Sequence, residues 1–275
     1  MKYTYAILVV SVLMFCSCQK ENNDSNTGSA ETTLVKFVDI DSTQPTGFDS
    51  IQICIFKYDN EKRLSEIDNR FYNLGAVGTR FHMTLFYNGS ESRPYKKVRV
   101  VEDALLVFKD SVYYFYTNAV LTGDSIVYGD SKEVNTYTYE TGKIIHNRKN
   151  INSLGQVTNS LHNIFYTKSG GNTLLETYDN YSWNASYDNH PNPYYGLMDI
   201  YGIGNEVYFK RETFLESTFR ENNNVLHSTE SENGSHREMF YSYQYRENGY
   251  PEVMSYHDDS DPTFVIRRKF YYTAL

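Results

Sequence analysis

Apolar and polar residues alternate along most of the chain from Leu34 to its last residues. In Thr79-Arg80-Phe81-His82-Met83-Thr84-Leu85-Phe86-Tyr87 every second position is apolar, and Tyr241-Ser242-Tyr243-Gln244-Tyr245 sets three tyrosines on one face. A period of two is that of a strand with one side against a core. Val265-Ile266-Arg267-Arg268-Lys269-Phe270-Tyr271-Tyr272 reads as a closing strand. Between such runs stand Asn88-Gly89, Asn233-Gly234 and Asn248-Gly249, dipeptides suited to hairpin turns because both central residues of a type I′ turn need positive φ. Gly123-Asp124, Gly142-Lys143 and Gly170-Gly171 are expected to turn the chain in the same way. A period near 3.6 is not sustained anywhere; Thr213 to Glu221 fits a short helix or a strand.

The expected fold is therefore all-β. It is one antiparallel meander over 34–275, strongly twisted or curled into an open barrel-like sheet. The 27 Tyr and 16 Phe agree, since aromatic side chains suit a pleated, half-buried surface. An open sheet has edges to protect, and the charges of Arg267-Arg268-Lys269 fit that task. A unit recurs along the meander: two aromatics one residue apart, a polar turn, then an apolar strand. Residues 56–67 (Phe56-Lys57-Tyr58-Asp59-Asn60-Glu61-Lys62-Arg63-Leu64-Ser65-Glu66-Ile67), 137–145 and 243–253 are copies, each a hairpin whose aromatic arm packs on the next.

The first residues follow a different pattern. Lys2 precedes the apolar run Ala6 to Phe15, which ends at Cys16-Ser17-Cys18 and passes into Gln19-Lys20-Glu21-Asn22-Asn23-Asp24. The run is shorter than the ~20 residues of a spanning helix. It resembles a bacterial lipoprotein signal, which implies a signal peptide over 1–17, cleavage after Ser17, lipid such as palmitate on Cys18, and a membrane partner reached through that lipid. Residues 18–33 are polar and free of aromatics and read as a flexible tether. Their acidic start is similar to the signal that carries lipoproteins of Bacteroidetes-type bacteria to the outer face of the outer membrane; a generic solvated tether reads equally from it.

The hairpin units look like degenerate YD repeats (aromatic-x-Tyr-Asp-x-x-Gly-x-Leu), with Glu61-Lys62 where the glycine falls. With the signal, residues 50–275 are similar to surface lipoproteins of the DUF4595-like kind. That resemblance implies a long antiparallel meander and carries over no catalytic residue.

Charge and chemistry narrow the function classes. The formal charge is −8, and losing Lys2 with the signal makes it −9, which disfavours nucleic acid. Cys54 is the only cysteine outside Cys16 and Cys18, so the expected domain has no internal disulfide; a buried thiol is expected there. The histidines (His82, His146, His162, His190, His227, His236, His257) lack metal-ligand spacing, and neither a nucleophile elbow nor a phosphate loop occurs. No metal or cofactor is expected. Asp258-Asp259-Ser260-Asp261 offers hard oxygens for calcium but reads as a solvated turn. Asp41-Ser42-Thr43, Asp49-Ser50-Ile51, Asp110-Ser111-Val112 and Asp124-Ser125-Ile126 look like an O-glycosylation sequon and also suit turn-to-strand junctions.

One cluster could hold a ligand: Trp183, Tyr187, Tyr194 and Tyr195, with Asn residues between them, offer flat faces for sugar rings. The competing reading puts Trp183 and its neighbours in the core, and the residues favour it. The expectation is a non-catalytic envelope lipoprotein, bound by its lipid to the outer membrane, that takes a glycan or another envelope component. A structural or assembly subunit of an envelope complex is the alternative; a hydrolase built on an unrecognised carboxylate pair ranks below both.

Overall fold

The structure is a computed structural model that describes residues 33–41, 50–73, 76–103, 105–195 and 221–274. Those residues form sixteen strands. In order they are β1 (Thr33–Asp41), β2 (Ser50–Tyr58), β3 (Leu64–Asn73), β4 (Ala76–Tyr87), β5 (Pro94–Glu102), β6 (Val107–Thr117), β7 (Val120–Tyr128) and β8 (Ser131–Glu140). Then follow β9 (Lys143–Ile151), β10 (Val157–Ser169), β11 (Asn172–Tyr178), β12 (Tyr181–Pro191), β13 (Asn223–Glu232), β14 (Ser235–Tyr245), β15 (Pro251–Asp258) and β16 (Asp261–Thr273). Each strand pairs antiparallel with the next, and β1 pairs with β16, so the meander closes into a barrel.

Closure removes the edges that an open sheet would have left. Arg267-Arg268-Lys269 accordingly does not guard an edge: Arg268 pairs in register with Asp39 of β1 and is buried with it. Alternation sends one residue set inward. Phe37, Ile67, Met83, Val112, Asn135 and Arg268 are all under 2% exposed. A ring of this many strands can enclose a water-filled channel, whose lining water would reach. Side chains fill this lumen instead, in one apolar cluster over β1–β4 and β14–β16 and a second over β6–β10.

The two rims differ in the connections they carry. Thr33, Thr273 and the even-to-odd turns lie at the near rim, and the odd-to-even turns at the far rim. Each odd–even hairpin is thus open at the near rim, and six are pinned there by a tyrosine hydroxyl. Tyr58 donates to the Leu34 carbonyl (2.7 Å), Tyr87 to Leu64 (2.6 Å), Tyr116 to Pro94 (3.2 Å), Tyr187 to Thr173 (2.5 Å), Tyr243 to Val225 (2.9 Å) and Tyr272 to Pro251 (2.7 Å). Two of these pins, Tyr58 and Tyr243, belong to the aromatic units read from the sequence; in the 137–145 copy Tyr137 donates instead to the Asp124 carboxylate.

The 59–63 turn shows why the unit tolerates Lys62. Asp59 Oδ1 accepts from the amides of Glu61 and Arg63, the Lys62 amide donates to the Asp59 carbonyl, and Lys62 sits at φ +64°. Gly249 holds the same place in the 246–250 turn at φ +82°. Asn233-Gly234 turns with both φ positive, as expected. Gly123-Asp124 does not turn the chain; it lies inside β7, and the turn falls at Asn118-Ala119 with φ of 50° and 61°. Glycine is needed at 123 for closeness: a Cβ there would stand 2.6 Å from the Asn135 carbonyl oxygen. Asp110-Ser111 and Asp124-Ser125 likewise lie within strands rather than at junctions, and Ser125 is buried. The helix-or-strand segment Thr213 to Glu221, apart from Glu221, the signal peptide with Cys18, and most of the tether fall outside the described residues.

Candidate functional site

Polarity changes along the lumen. Toward the near rim the inward residues are Leu34, Phe56, Leu64, Leu85 and the pinning tyrosines. Toward the far rim they are Asp39, Gln52, Asn69, Arg99, Asp110, Asp124, Asn135 and Glu133. Buried charge is costly unless paired and hydrogen-bonded, and these groups are. Arg268 Nε and Nη2 each donate to the Asp39 carboxylate at 2.6 Å, and Nη1 donates to the Tyr194 hydroxyl at 2.9 Å. The guanidinium also lies 4.0 Å from the centre of the Phe37 ring. Tyr256 donates to Asp39 at 3.2 Å, and Arg99 pairs with Asp110. Asn135 Nδ2 donates to Asp124 (2.8 Å) and Glu133 (2.9 Å), and Tyr137 donates to Asp124 at 2.6 Å. Burial holds the Asp124 carboxyl above its usual value despite those donors.

Above the Asp39–Arg268 pair lies a cavity of about 310 Å³ walled by β1–β3 and β14–β16. Its sides are mostly apolar, from Phe71, Met239, Phe264, Ile266 and Tyr256, with Asp39 and Gln52 at the base. Arg237 and Asp258 also line it and are hydrogen-bonded to each other. Burial alone would raise Asp258, but the Ser260 hydroxyl and Arg237 bring it down to about 2, so it is charged at neutral pH. Gln52 donates to Asn69 Oδ1 at 2.9 Å, and Asn69 Nδ2 is left buried without a partner behind the cavity wall. Mostly apolar walls with a few convergent polar groups are the ordinary make-up of a small-molecule site.

The four residues singled out for sugar stacking do not share an exposed face. Trp183 and Tyr194 are 3% exposed; Tyr187 faces the lumen and pins its hairpin; Tyr195 alone is open, at 61%. Tyr194 leaves the 192–195 turn after β12 and meets Phe37 of β1 edge-on, with ring centres 6.2 Å apart. Trp183 Nε1 has no hydrogen-bond partner. The cavity residues were missed because they come from both ends of the chain. Only Asp39 and Gln52, each a polar residue set between two apolar ones, could have drawn notice; Arg237, between His236 and Glu238, carries no such signal.

Other polar constellations occupy β8–β14. His162 Nδ1 meets Asp179, and its Nε2 lies 3.1 Å from Ser160 Oγ. A similar relay, Ser231–His236–Glu238, stands on the exposed face of β13 and β14 at 3.0 and 3.3 Å. Ser and His two apart on a strand, or paired across strands, meet by register alone, and catalysis also needs donors for an oxyanion. His146 Nε2 is 2.7 Å from Asn135 Oδ1, an acceptor, so that nitrogen carries the proton. Burial, then the charges of His162 and Arg148, hold this imidazole down at about 4. No His, Cys, Asp and Glu group among the described residues is arranged to hold a metal ion. The 258–261 string is a turn in which Asp258 accepts from Ser260 and Asp261 from Thr263. Cys54 is buried and burial pushes its thiol well up, as befits a packed rather than reactive cysteine.

Two solved structures resemble the whole barrel. A porin-like protein from Bacteroides uniformis matches with a TM-score of 0.49 at 11% identity, over 88% of this chain and 99% of that one. A porin-like protein from Bacteroides vulgatus matches with a TM-score of 0.41 at 12% identity, over 89% and 100%. No family model and no curated protein matches the chain. Membership of the YD-repeat or DUF4595-like kind, expected from the sequence, is not shown by these comparisons.

Proposed function

We propose that the chain is a non-catalytic lipoprotein of the bacterial cell envelope, anchored through Cys18, whose barrel holds a small envelope component in the far-rim cavity. The observation that carries this reading is the cavity: apolar walls for the body of a ligand, with the Gln52 amide and the Arg237–Asp258 pair for a polar end. A flat glycan face is less well supported, because three of the four aromatics expected to form it are turned into the lumen.

A conducting pore is disfavoured by the same structure. A spanning barrel wears an apolar band ~25 Å tall on its outside. Here Asp68, at mid-wall on the face opposite to the buried Ile67 and Asn69, accepts from Arg80 and Arg70. Burial alone would raise that carboxyl, but the two guanidiniums bring it down to about 2. An ion cluster on the outer wall belongs in water.

The test uses N-phenyl-1-naphthylamine, whose emission rises in apolar sites. Wild type is expected to brighten it and Ile266→Trp, which fills the cavity, to lose at least ~10-fold in affinity. Decanoate should displace the probe and an oligosaccharide should not. Equal binding by both proteins would remove the cavity from the account. The anchor is tested separately, by the intact mass of protein purified from envelopes.

A further inference from the structure

We infer that the far-rim cavity selects an uncharged amphiphile whose head offers an oxygen acceptor, such as an ester or a hydroxyl, over one with a charged head. The inference rests on the cavity reading above and names the class of ligand. A charge moved from water to mostly apolar walls is costly unless a countercharge and hydrogen bonds await it. Beneath the floor, Arg268 gives Nε and Nη2 to Asp39 and Nη1 to the Tyr194 hydroxyl, and Asp39 also accepts from Tyr256. On the wall, Arg237 Nε donates to Asp258, and Glu230 stands opposite Arg237 in the register of β13 and β14.

Asp258 Oδ1 accepts from the Ser260 amide at 2.9 Å and from its hydroxyl at 2.7 Å. His257 also borders the cavity, yet its ring stacks on Phe240 with centres 5.2 Å apart, and Phe240 is exposed. An anionic head entering here meets two arginines that already face carboxylates. An ammonium head meets carboxylates that already hold donors. A neutral head costs less to take out of water. Behind the same wall, Gln52 Nε2 donates to Asn69 Oδ1 and leaves Asn69 Nδ2 buried without an acceptor. The unmet group is thus an amide donor, and a neutral oxygen matches it where an ion does not.

The experiment compares three competitors with the same ten-carbon chain for displacement of N-phenyl-1-naphthylamine at pH 7.5: 1-decanoylglycerol, decanoate and decylammonium. With wild type, 1-decanoylglycerol is expected to act at concentrations at least ~10-fold below the other two. Any apolar pocket favours a neutral head to some degree, so a variant tests the pairing itself. Asp258→Asn with Glu230→Gln removes the two carboxylates that face Arg237. Decanoate is then expected to gain about 5-fold, with 1-decanoylglycerol little changed. Asp258→Asn alone keeps an acceptor for Ser260 and should give a smaller gain in the same direction. Either charged competitor matching 1-decanoylglycerol on wild type would overturn the inference, as would variants in which decanoate gains nothing. The two readings fail differently. Should Ile266→Trp still abolish probe binding while the ranking is flat, only the choice of ligand class falls; should Ile266→Trp bind the probe as wild type does, the cavity reading falls.

Discussion

At the near rim, six tyrosine hydroxyls donate to backbone carbonyls and aliphatic side chains fill the space between them. At the far rim, ion pairs and amides occupy the lumen, a cavity of about 310 Å³ remains, and Asn69 Nδ2 lacks a partner. The near rim spends its polar groups on closing its own hairpins. The far rim keeps polar groups facing an open space, where a ligand can use them. The difference separates the part of the barrel that holds it shut from the part that can do something.

The strongest way to break that contrast is at its boundary. Asp39 and Arg268 are 1% exposed and separate the aromatic half from the cavity. Arg268→Met would leave a buried carboxylate unpaired and is expected to cost about 3–5 kcal/mol, read as a lower urea midpoint. Adding Asp39→Leu should recover much of that loss. A single variant as stable as wild type would mean that water reaches the pair.

A pH series comes next. The folded pKa of His146, about 4, lies below its unfolded value near 6.5. Its contribution is therefore whole above pH 6.5 and is lost as pH falls toward 4. For this partly exposed ring a loss of about 1–2 kcal/mol is expected after allowing for solvent. The melting temperature of wild type should drop across that window more than that of His146→Gln, and parallel curves would refute the assignment.

The tyrosine pins are smaller. Tyr272→Phe and Tyr58→Phe should each cost about 0.5–1.5 kcal/mol, with no effect on binding in the cavity. A change in probe affinity would blur the division between the rims. Smallest is Lys62→Gly, which relieves a side chain at φ +64° and should stabilise by about 0.5 kcal/mol, read in the same melts.

Much of the fold was legible because it is local. Alternation in 79–87 and 241–245 marked strands, and the aromatic units at 56–58 and 243–245 contain two of the six pins, Tyr58 and Tyr243. Gly123 misled because a glycine inside a strand, there for close approach to the Asn135 carbonyl, looks like a glycine in a turn. Closure was not legible. It depends on β1 finding β16, and its central pair, Asp39 and Arg268, lies 229 residues apart in sequence. The aromatic cluster at 181–195 was legible as composition but not as direction: Trp183 and Tyr194 turn inward, and Tyr195, next in the chain, turns out.

The central claim, a lumen packed by side chains with a cavity at the far rim among the described residues, is tested most directly by a crystal structure under xenon pressure. Xenon enters dry apolar space. The account predicts a xenon atom among Phe71, Met239, Phe264 and Ile266, and none between the tyrosine pins. A file of ordered water running from rim to rim past Tyr194 would contradict it.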